Sequence, residues 1–405
     1  MSCSRICWRW WRSINIKTNT FKKLVSDMKV VRTFHPIGQG AFYSERFYEE
    51  GKPQAKINIV YDCGTSWGSI TKAKNVVSQA FDKNDTIDYL FISHLDYDHV
   101  SLVTTLIDSV KRVKNIVLPL VDEEEIIIGI GLNKIANHPD TVEFLSLILD
   151  FIHGGNNSNL ETEVTFVGGD GDRVVGRVSS MASGREISFV NKVGVREWVF
   201  IPRNISAESR RLELVKGLEK VLVDFGIKES GEDFLKRLLN EEYVVSVLKD
   251  AKFRKAIKSA YEKVSGGVNV NSLLLYSGPA EESDSFVMRK VLPDMRGWKI
   301  GYRAGCLYTG DSDCDIPEWQ KSLYPNVWDR IDTIQLPHHG SLKSFDIENN
   351  GIDRRFFFPV SCGCANTYGH PSGKVLSYLI SCDCWPQIVT EMTNTMYVQQ
   401  IYLHH

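Results

Sequence analysis

Apolar and polar positions divide the chain into two strand-rich ends around a helical middle. Residues Lys56 to Tyr61 alternate, then become apolar and run into Asp62-Cys63-Gly64, which predicts a strand ending in a turn. Ile87 to Ile92 is a short, mostly apolar run of the kind that a buried strand produces. It stops abruptly at the polar cluster Ser93 to His99. Val100 to Val110 has helical spacing and Asn115 to Leu120 reads as the next strand, so this stretch forms an α/β unit. Glu163 to Val199 reads as irregular strands with many glycines. From Glu208 to Lys263 the apolar positions recur at helical period: Leu212, Leu214, Val215, Leu218, Val221 and Leu222, then Phe234, Leu235, Leu238 and Leu239. Gly226 and Gly231 fit a break between two helices. Strands resume at Ser272 to Ser277, Trp298 to Thr309, Thr333 to Leu336 and Tyr397 to Tyr402. With no internal repeat, the pattern predicts one discontinuous domain over residues 28–405 with a helical insertion over residues 200–265.

Composition adds limits rather than an answer. The 405 residues are 43% hydrophobic and 24% charged, enough apolar material for a large core. A formal net charge of −2 gives no global basic field, so a polyanionic partner has to be met by a local patch or by bound metal. The Lys- and Glu-rich faces of the helical middle read as solvated rather than as such a patch. No apolar run approaches the roughly 20 residues that span a bilayer, so a soluble chain is expected. Nine cysteines, an odd number, are too few for a disulfide scaffold at this length, and reduced thiols in a cytoplasm are expected. Residues 1–27 set Trp8, Trp10 and Trp11 among Arg5, Arg9, Arg12, Lys17, Lys22 and Lys23. Either this segment lies on an anionic membrane surface, or it is a disordered leader or a stretch upstream of a start at Met28. The leader reading is preferred.

The chemistry concentrates at three predicted strand ends. Ser93-His94-Leu95-Asp96-Tyr97-Asp98-His99 offers four potential ligands directly after a buried strand. Leu307-Tyr308-Thr309-Gly310-Asp311 puts a carboxylate at a second strand end, and Gln335-Leu336-Pro337-His338-His339-Gly340-Ser341 puts a histidine pair at a third. Gly-Asp alone is usually a turn, and paired histidines are often surface residues, but three such clusters share one ligand chemistry. Imidazole with carboxylate suits zinc, manganese or iron. Cys362/Cys364 and Cys382/Cys384 have one intervening residue each, whereas structural zinc pairs usually have two or more, so strand and loop positions are preferred for them.

The order of these motifs resembles the metallo-β-lactamase superfamily, with its H-x-H-x-D-H motif, bridging Asp and distal His. More closely it resembles the soluble hydrolase domain of the competence channel ComEC: Asn271-Ser272 before an apolar strand, Thr-Gly-Asp at 309–311, Pro-His-His-Gly-Ser at 337–341, and Asn366 followed by Gly369-His370-Pro371. The resemblance covers Val30 to Val113 and Val268 to Ile380. It implies an α/β fold, a metallo-β-lactamase αββα sandwich carrying the helical insertion. It implies two divalent metal ions, zinc or manganese with iron as a further option, that activate a bridging water. One ion would be held by His94, Asp96 and the bridging Asp311, the other by Asp98, His99 and one of His338 and His339, with His339 preferred. Asp96 departs from the pattern, standing where the second histidine is expected. That carboxylate favours a harder ion such as manganese, and His138 and His153 are only weak candidates for a further histidine ligand.

The resemblance further implies that Asp98 both ligates and orients the nucleophile. His370 would contact phosphate or protonate the leaving group, unless it is a structural turn residue before Pro371. Ser341 and Asn366 would hold substrate oxygens. Asp62 either accepts a hydrogen bond from a ligand imidazole or caps a turn before Gly64. The implied activity is phosphodiester hydrolysis, with nucleic acid or a nucleotide as substrate. Hydrolysis of a lactone, thioester or β-lactam and a non-catalytic binding module are the alternatives, the latter resting on Asp96.

Overall fold

The computed structural model describes residues 28–403 apart from residues 50, 67, 156–161, 169–172, 176–177, 191–195, 205–208, 239, 263–271, 282–284, 292–298, 302, 313–320, 348–351 and 353. The basic, aromatic leader over residues 1–27 lies outside the described residues, as do Leu239 and Asn271. The strands in chain order are β1 Met28–Phe34, β2 Gly40–Glu49, β3 Ile57–Thr65, β4 Thr86–Phe91, β5 Arg112–Pro119, β6 Glu163–Val167, β7 Arg173–Val175, β8 Val178–Met181 and β9 Ile187–Val190. They continue with β10 Arg196–Arg203, β11 Leu274–Pro279, β12 Ser285–Val291, β13 Lys299–Gly301, β14 Gly305–Tyr308, β15 Ile331–Ile334, β16 Phe357–Ser361, β17 Trp385–Val389 and β18 Tyr397–Leu403. The helices are α1 Ile70–Ala80, α2 Tyr97–Val100, α3 Val103–Ser109, α4 Glu123–Ile135, α5 Pro139–Ile152, α6 Ser209–Asp224, α7 Gly231–Leu238, α8 Glu241–Leu248, α9 Ala251–Glu262 and α10 Gly373–Ser381.

Among the described residues the strands form two sheets. The larger runs β13-β12-β18-β1-β2-β3-β4-β5-β6-β8-β7 and the smaller β17-β16-β15-β14-β11-β10-β9. Their facing sides enclose one apolar layer that includes Val30, Phe34, Tyr61, Phe91, Leu275, Tyr308 and Phe357. The outer face of the large sheet packs Val60, Leu90, Ile92 and Ile116 against α1 and α3–α9, while the outer face of the small sheet packs Leu274, Ile334 and Phe358 against Val375 and Leu379 of α10. The result is helix, sheet, sheet, helix. Strand β4 shows why its end is apolar at successive positions: Leu90 faces the helical layer and Phe91 the inter-sheet layer, so both faces need burial.

A polar clamp crosses the inter-sheet layer. Arg32 on β1 is fully buried; its Nε donates to Glu45 Oε1 at 2.6 Å, and its Nη1 donates to Gln399 Oε1 at 2.8 Å and the Ala304 carbonyl at 3.1 Å. Glu45 also accepts from Ser277 Oγ at 2.6 Å and Tyr308 Oη at 2.9 Å. One carboxylate thus ties β1 and β2 of one sheet to β11 and β14 of the other.

The structure departs from the pattern reading at several places. Asp62-Cys63-Gly64 does not end β3, which continues to Thr65. Phe42 pairs with Cys63 and Tyr43 with Tyr61, so Asp62 is the extra residue of a bulge, at φ 55°. A short polar side chain tolerates that conformation, and the bulge re-aims it. The helical stretch predicted over 100–110 is two pieces, α2 and α3. Helices α1, α4 and α5 had no counterpart in that reading. Between the antiparallel pair β10 and β11 the chain runs through α6–α9, with α6 ending at Asp224 and α7 starting at Gly231, either side of Gly226 at φ 71°.

Candidate metal centre

Strands β3, β4 and β5 of the large sheet are mutually parallel, as are β14, β15, β16 and β17 of the small one. The loops that leave their carboxyl ends meet where the two sheets face each other, the usual place for a site in a parallel sheet. The loop after β4 carries His94 to His99, the loop after β14 carries Asp311, and the loop after β15 carries His338 and His339.

Two glycines permit this convergence. A Cβ on Gly64 would stand 2.6 Å from backbone atoms of Asp98, His99 and Val100, so only glycine lets α2 sit directly on β3. Gly310, at φ 55°, lies where a Cβ would be 2.6 Å from that of Ser93, so the Asp311 turn can press against the β4 loop. Gln335 holds that turn, its Oε1 accepting from the amides of Thr309 at 3.0 Å and Gly310 at 3.2 Å. His338 and His339 take φ values of 48° and 53°, rarely populated without glycine, and this backbone turns both rings towards Asp311.

The outcome is a tight group. Ligand atoms of Asp98, His99, Asp311 and His339 all lie within 4.8 Å of one another. His99 Nε2 is 3.2 Å from Asp311 Oδ1, and His339 Nε2 is 3.2 Å from Asp98 Oδ2 and 3.7 Å from Asp311 Oδ1. The hydrogen bonds behind the rings fix what faces inward. His99 Nδ1 donates to Asp62 Oδ2 at 2.8 Å, and His339 Nδ1 donates to the Ser361 carbonyl at 2.9 Å. Both acceptors lack a proton, so each ring, once it has lost its second proton, presents a bare Nε2 lone pair to a carboxylate. Lone pair against carboxylate is repulsive until a proton or a metal cation lies between them, so the two compete for the same place. His99 Nε2, His94 Nε2 and Asp311 Oδ1 are also buried without a hydrogen-bond partner. This donor set fits a divalent cation.

The other expected ligands stand nearby without joining the group. His94 Nε2 is 3.7 Å from Asp96 Oδ2, its ring 4.1 Å from that of His99, and nearly half of the Asp96 side chain (47%) is exposed. Among the described residues this pair closes no group of three with Asp311. His338 Nε2 lies 3.8 Å from Asp311 Oδ2 while its Nδ1 meets Ser344 Oγ at 2.9 Å. His138 stacks on Tyr97 at 3.8 Å and bonds Asn133, and exposed His153 pairs with Glu123.

The supporting residues share few partners. Asp62 accepts from the Ser93 amide at 2.6 Å and Ser93 Oγ at 2.7 Å as well as from His99. With the Ser93 hydroxyl proton on Asp62, its oxygen is left to accept from His94 Nδ1 at 2.9 Å. One buried carboxylate therefore sets the tautomer of two histidines. Ser93, Ser361 and Ser344 were not singled out from sequence; Ser361 acts through a backbone carbonyl, which no sequence motif marks. Asn366 donates Nδ2 to the carbonyls of Gly363 and His370 at 2.8 and 2.6 Å and accepts from the His370 amide at 3.1 Å, so its side chain holds the loop around His370. Buried Ser341 accepts from the Lys343 amide at 3.3 Å.

The charges work against burial. Burial alone would lower His99, but the Asp311 and Asp62 carboxylates outweigh it and hold the imidazole well above its ordinary 6.5. Burial would raise Asp311, but His99 and His339 hold it well below 3.8. Burial, with His338 and His339 beside it, pushes His370 down to about 4, so its ring is a neutral N–H donor near neutrality. The stabilisation from His99 is fully present below 6.5 and is lost as pH rises through the raised value. That from Asp311 is present above 3.8 and is lost as pH falls through the depressed value. A cation needs the same imidazoles neutral, so it competes with the protons. The rise in Tm on adding Zn²⁺ or Mn²⁺ to chelator-treated protein is expected to grow from about pH 6 to about pH 8. Thermal melts over that range check it, and a metal-induced shift that shrinks with pH would contradict it.

No curated protein matches the chain. Residues 54–117, which span β3 to nearly the end of β5 with the whole Ser93–His99 loop between them, match the family model described as the metallo-beta-lactamase superfamily. This match and the two-sheet sandwich between helical layers give one conclusion: residues 54–117 carry a metallo-beta-lactamase superfamily domain, and the molecule has that superfamily's α/β sandwich fold.

Proposed function

We propose that this protein is a metal-dependent hydrolase that cleaves phosphodiester bonds in nucleic acid or a nucleotide. The observation that carries the reading is the Asp98–His99–Asp311–His339 group, two imidazoles and two carboxylates whose ligand atoms all lie within 4.8 Å of one another. A divalent ion, zinc or manganese with iron as a further option, supplies Lewis acidity and an activated water when bound there. His94 and Asp96 would complete a second, looser position. Asp98 is 22% exposed at its side chain, the most open of the four, and is the carboxylate that would align an incoming water. His370, with its ring 5.7 Å from that of His338, offers a neutral N–H to a phosphoryl oxygen, which supports substrate contact over leaving-group protonation. The Lys343 charge is among those that disfavour a proton on His370 and adds positive charge near it. This pairing of donors with a cation favours an anionic phosphodiester over a neutral lactone or thioester. The resemblance to the hydrolase domain of ComEC belongs to the same proposal, as does an insertion formed by α6–α9.

No helix among the described residues is long and apolar enough to cross a membrane. A cytoplasmic setting is proposed with the function, supported by six described cysteines that are all free thiols. The test is hydrolysis of bis(4-nitrophenyl) phosphate and of a lactone, with added Mn²⁺ or Zn²⁺, alongside digestion of single- and double-stranded DNA. Metal-dependent turnover of the phosphodiesters is expected; turnover of the lactone alone would assign the site to carbonyl substrates.

A further inference from the structure

Beyond the metal group a row of rings turns outward. His338 reaches to 3.8 Å from Asp311; its ring lies 5.7 Å from that of His370, which in turn lies 6.1 Å from that of Tyr368. The His370 and Tyr368 planes are only 12° apart. Tyr368 is 63% exposed, and folding gains little from an aromatic ring held in water. Its loop is nevertheless held in place: Gly369 turns the chain at φ 74°, and Asn366 bonds the backbone of Gly363 and of His370 on both its N–H and C=O sides. Exposed Lys343 stands close enough to bear on His370. A ring presented on a fixed loop, two rings out from Asp311 and with a lysine charge near His370, matches the parts of a single-strand site: an aromatic platform for a base and positive charge for the backbone.

We propose that Tyr368 is a stacking site for a nucleobase next to the phosphodiester that is cut, with His370 between base and phosphate. The inference rests on the phosphodiester reading above and narrows it to strands that carry bases. Stacking on an aromatic ring tolerates any base, so cleavage at this site would show little sequence preference.

The experiment measures kcat/KM in Mn²⁺ on a short single-stranded oligothymidylate and on the same strand made abasic, for the wild type, Tyr368→Ala and Tyr368→Phe. Removing the bases is expected to cost the wild type roughly tenfold, and Tyr368→Ala is expected to cost roughly the same on the base-bearing strand. The two losses should not add, because both remove one contact. Tyr368→Phe should keep the wild-type rate. If the wild type cuts both strands and the losses multiply, or Tyr368→Ala loses nothing, the stacking site is wrong and the phosphodiester reading stands. If the wild type cuts neither strand nor bis(4-nitrophenyl) phosphate, both fall.

Discussion

Replacement of Asp311 by alanine is expected to abolish metal-dependent hydrolysis while leaving the chain folded. Its Oδ1 lies 3.2 Å from His99 Nε2 and 3.7 Å from His339 Nε2, and its Oδ2 lies 3.8 Å from His338 Nε2, so one carboxylate serves three imidazoles. Without it the group keeps two lone pairs and a single carboxylate, Asp98. Loss of a mere supporting partner typically costs roughly 10–100-fold in metal affinity or activity, and loss of the shared ligand should exceed that. Asp311→Asn is the companion variant, since it keeps the shape and removes the charge. Rates of phosphodiester hydrolysis measured at saturating metal check both, with circular dichroism to verify folding. Rates comparable to the wild type in either variant would overturn the assignment of Asp311.

The second large effect concerns stability. Glu45 is buried with Arg32 between the sheets and accepts hydrogen bonds from Arg32, Ser277 and Tyr308. Glu45→Ala leaves the guanidinium buried with its counter-charge gone, and removal of one partner from such a pair costs about 3–5 kcal/mol. Replacing both by apolar residues, Arg32→Met with Glu45→Leu, should cost much less than the single change, because no charge is then stranded. Urea melts of the two variants test this. A single variant as stable as the wild type would mean that the clamp adds nothing between the sheets. The clamp also reaches the site, since Tyr308 lies three positions before Asp311 and hydrogen-bonds Glu45.

Different parts of this structure were legible to different degrees. The strand ends were clear because a strand buried on both faces is a short apolar run, and its polar successors then stand out. His94 to His99 after β4, Asp311 after β14 and His338–His339 after β15 follow that rule. The role of Asp62 was only half legible. The Asp-Cys-Gly signal was real, but it marked a bulge inside β3, and a bulge shows itself only through the partner strand's register. Helix α4 was missed because Ile126, Ile127, Ile128 and Ile130 are all buried, leaving no polar stripe and a β-branched run that imitates a strand. The support of His339 by the Ser361 carbonyl, and of Arg32 by Gln399 and Ala304, depends on chain segments far apart in sequence, which periodicity cannot register. The preference for His339 over His338 came from the resemblance to the superfamily; in the structure His339 lies inside the four-residue group and His338 at its edge.

The most direct measurement is the number of divalent ions bound per chain, by equilibrium dialysis against Mn²⁺ and Zn²⁺ with elemental analysis, for the wild type and for Asp98→Ala with His339→Ala. At least one tightly held ion is predicted in the wild type, and its loss in the double variant with the fold intact. A wild type that retains no ion from either metal, or a double variant that binds as many ions as tightly, would contradict a metal centre at Asp98, His99, Asp311 and His339.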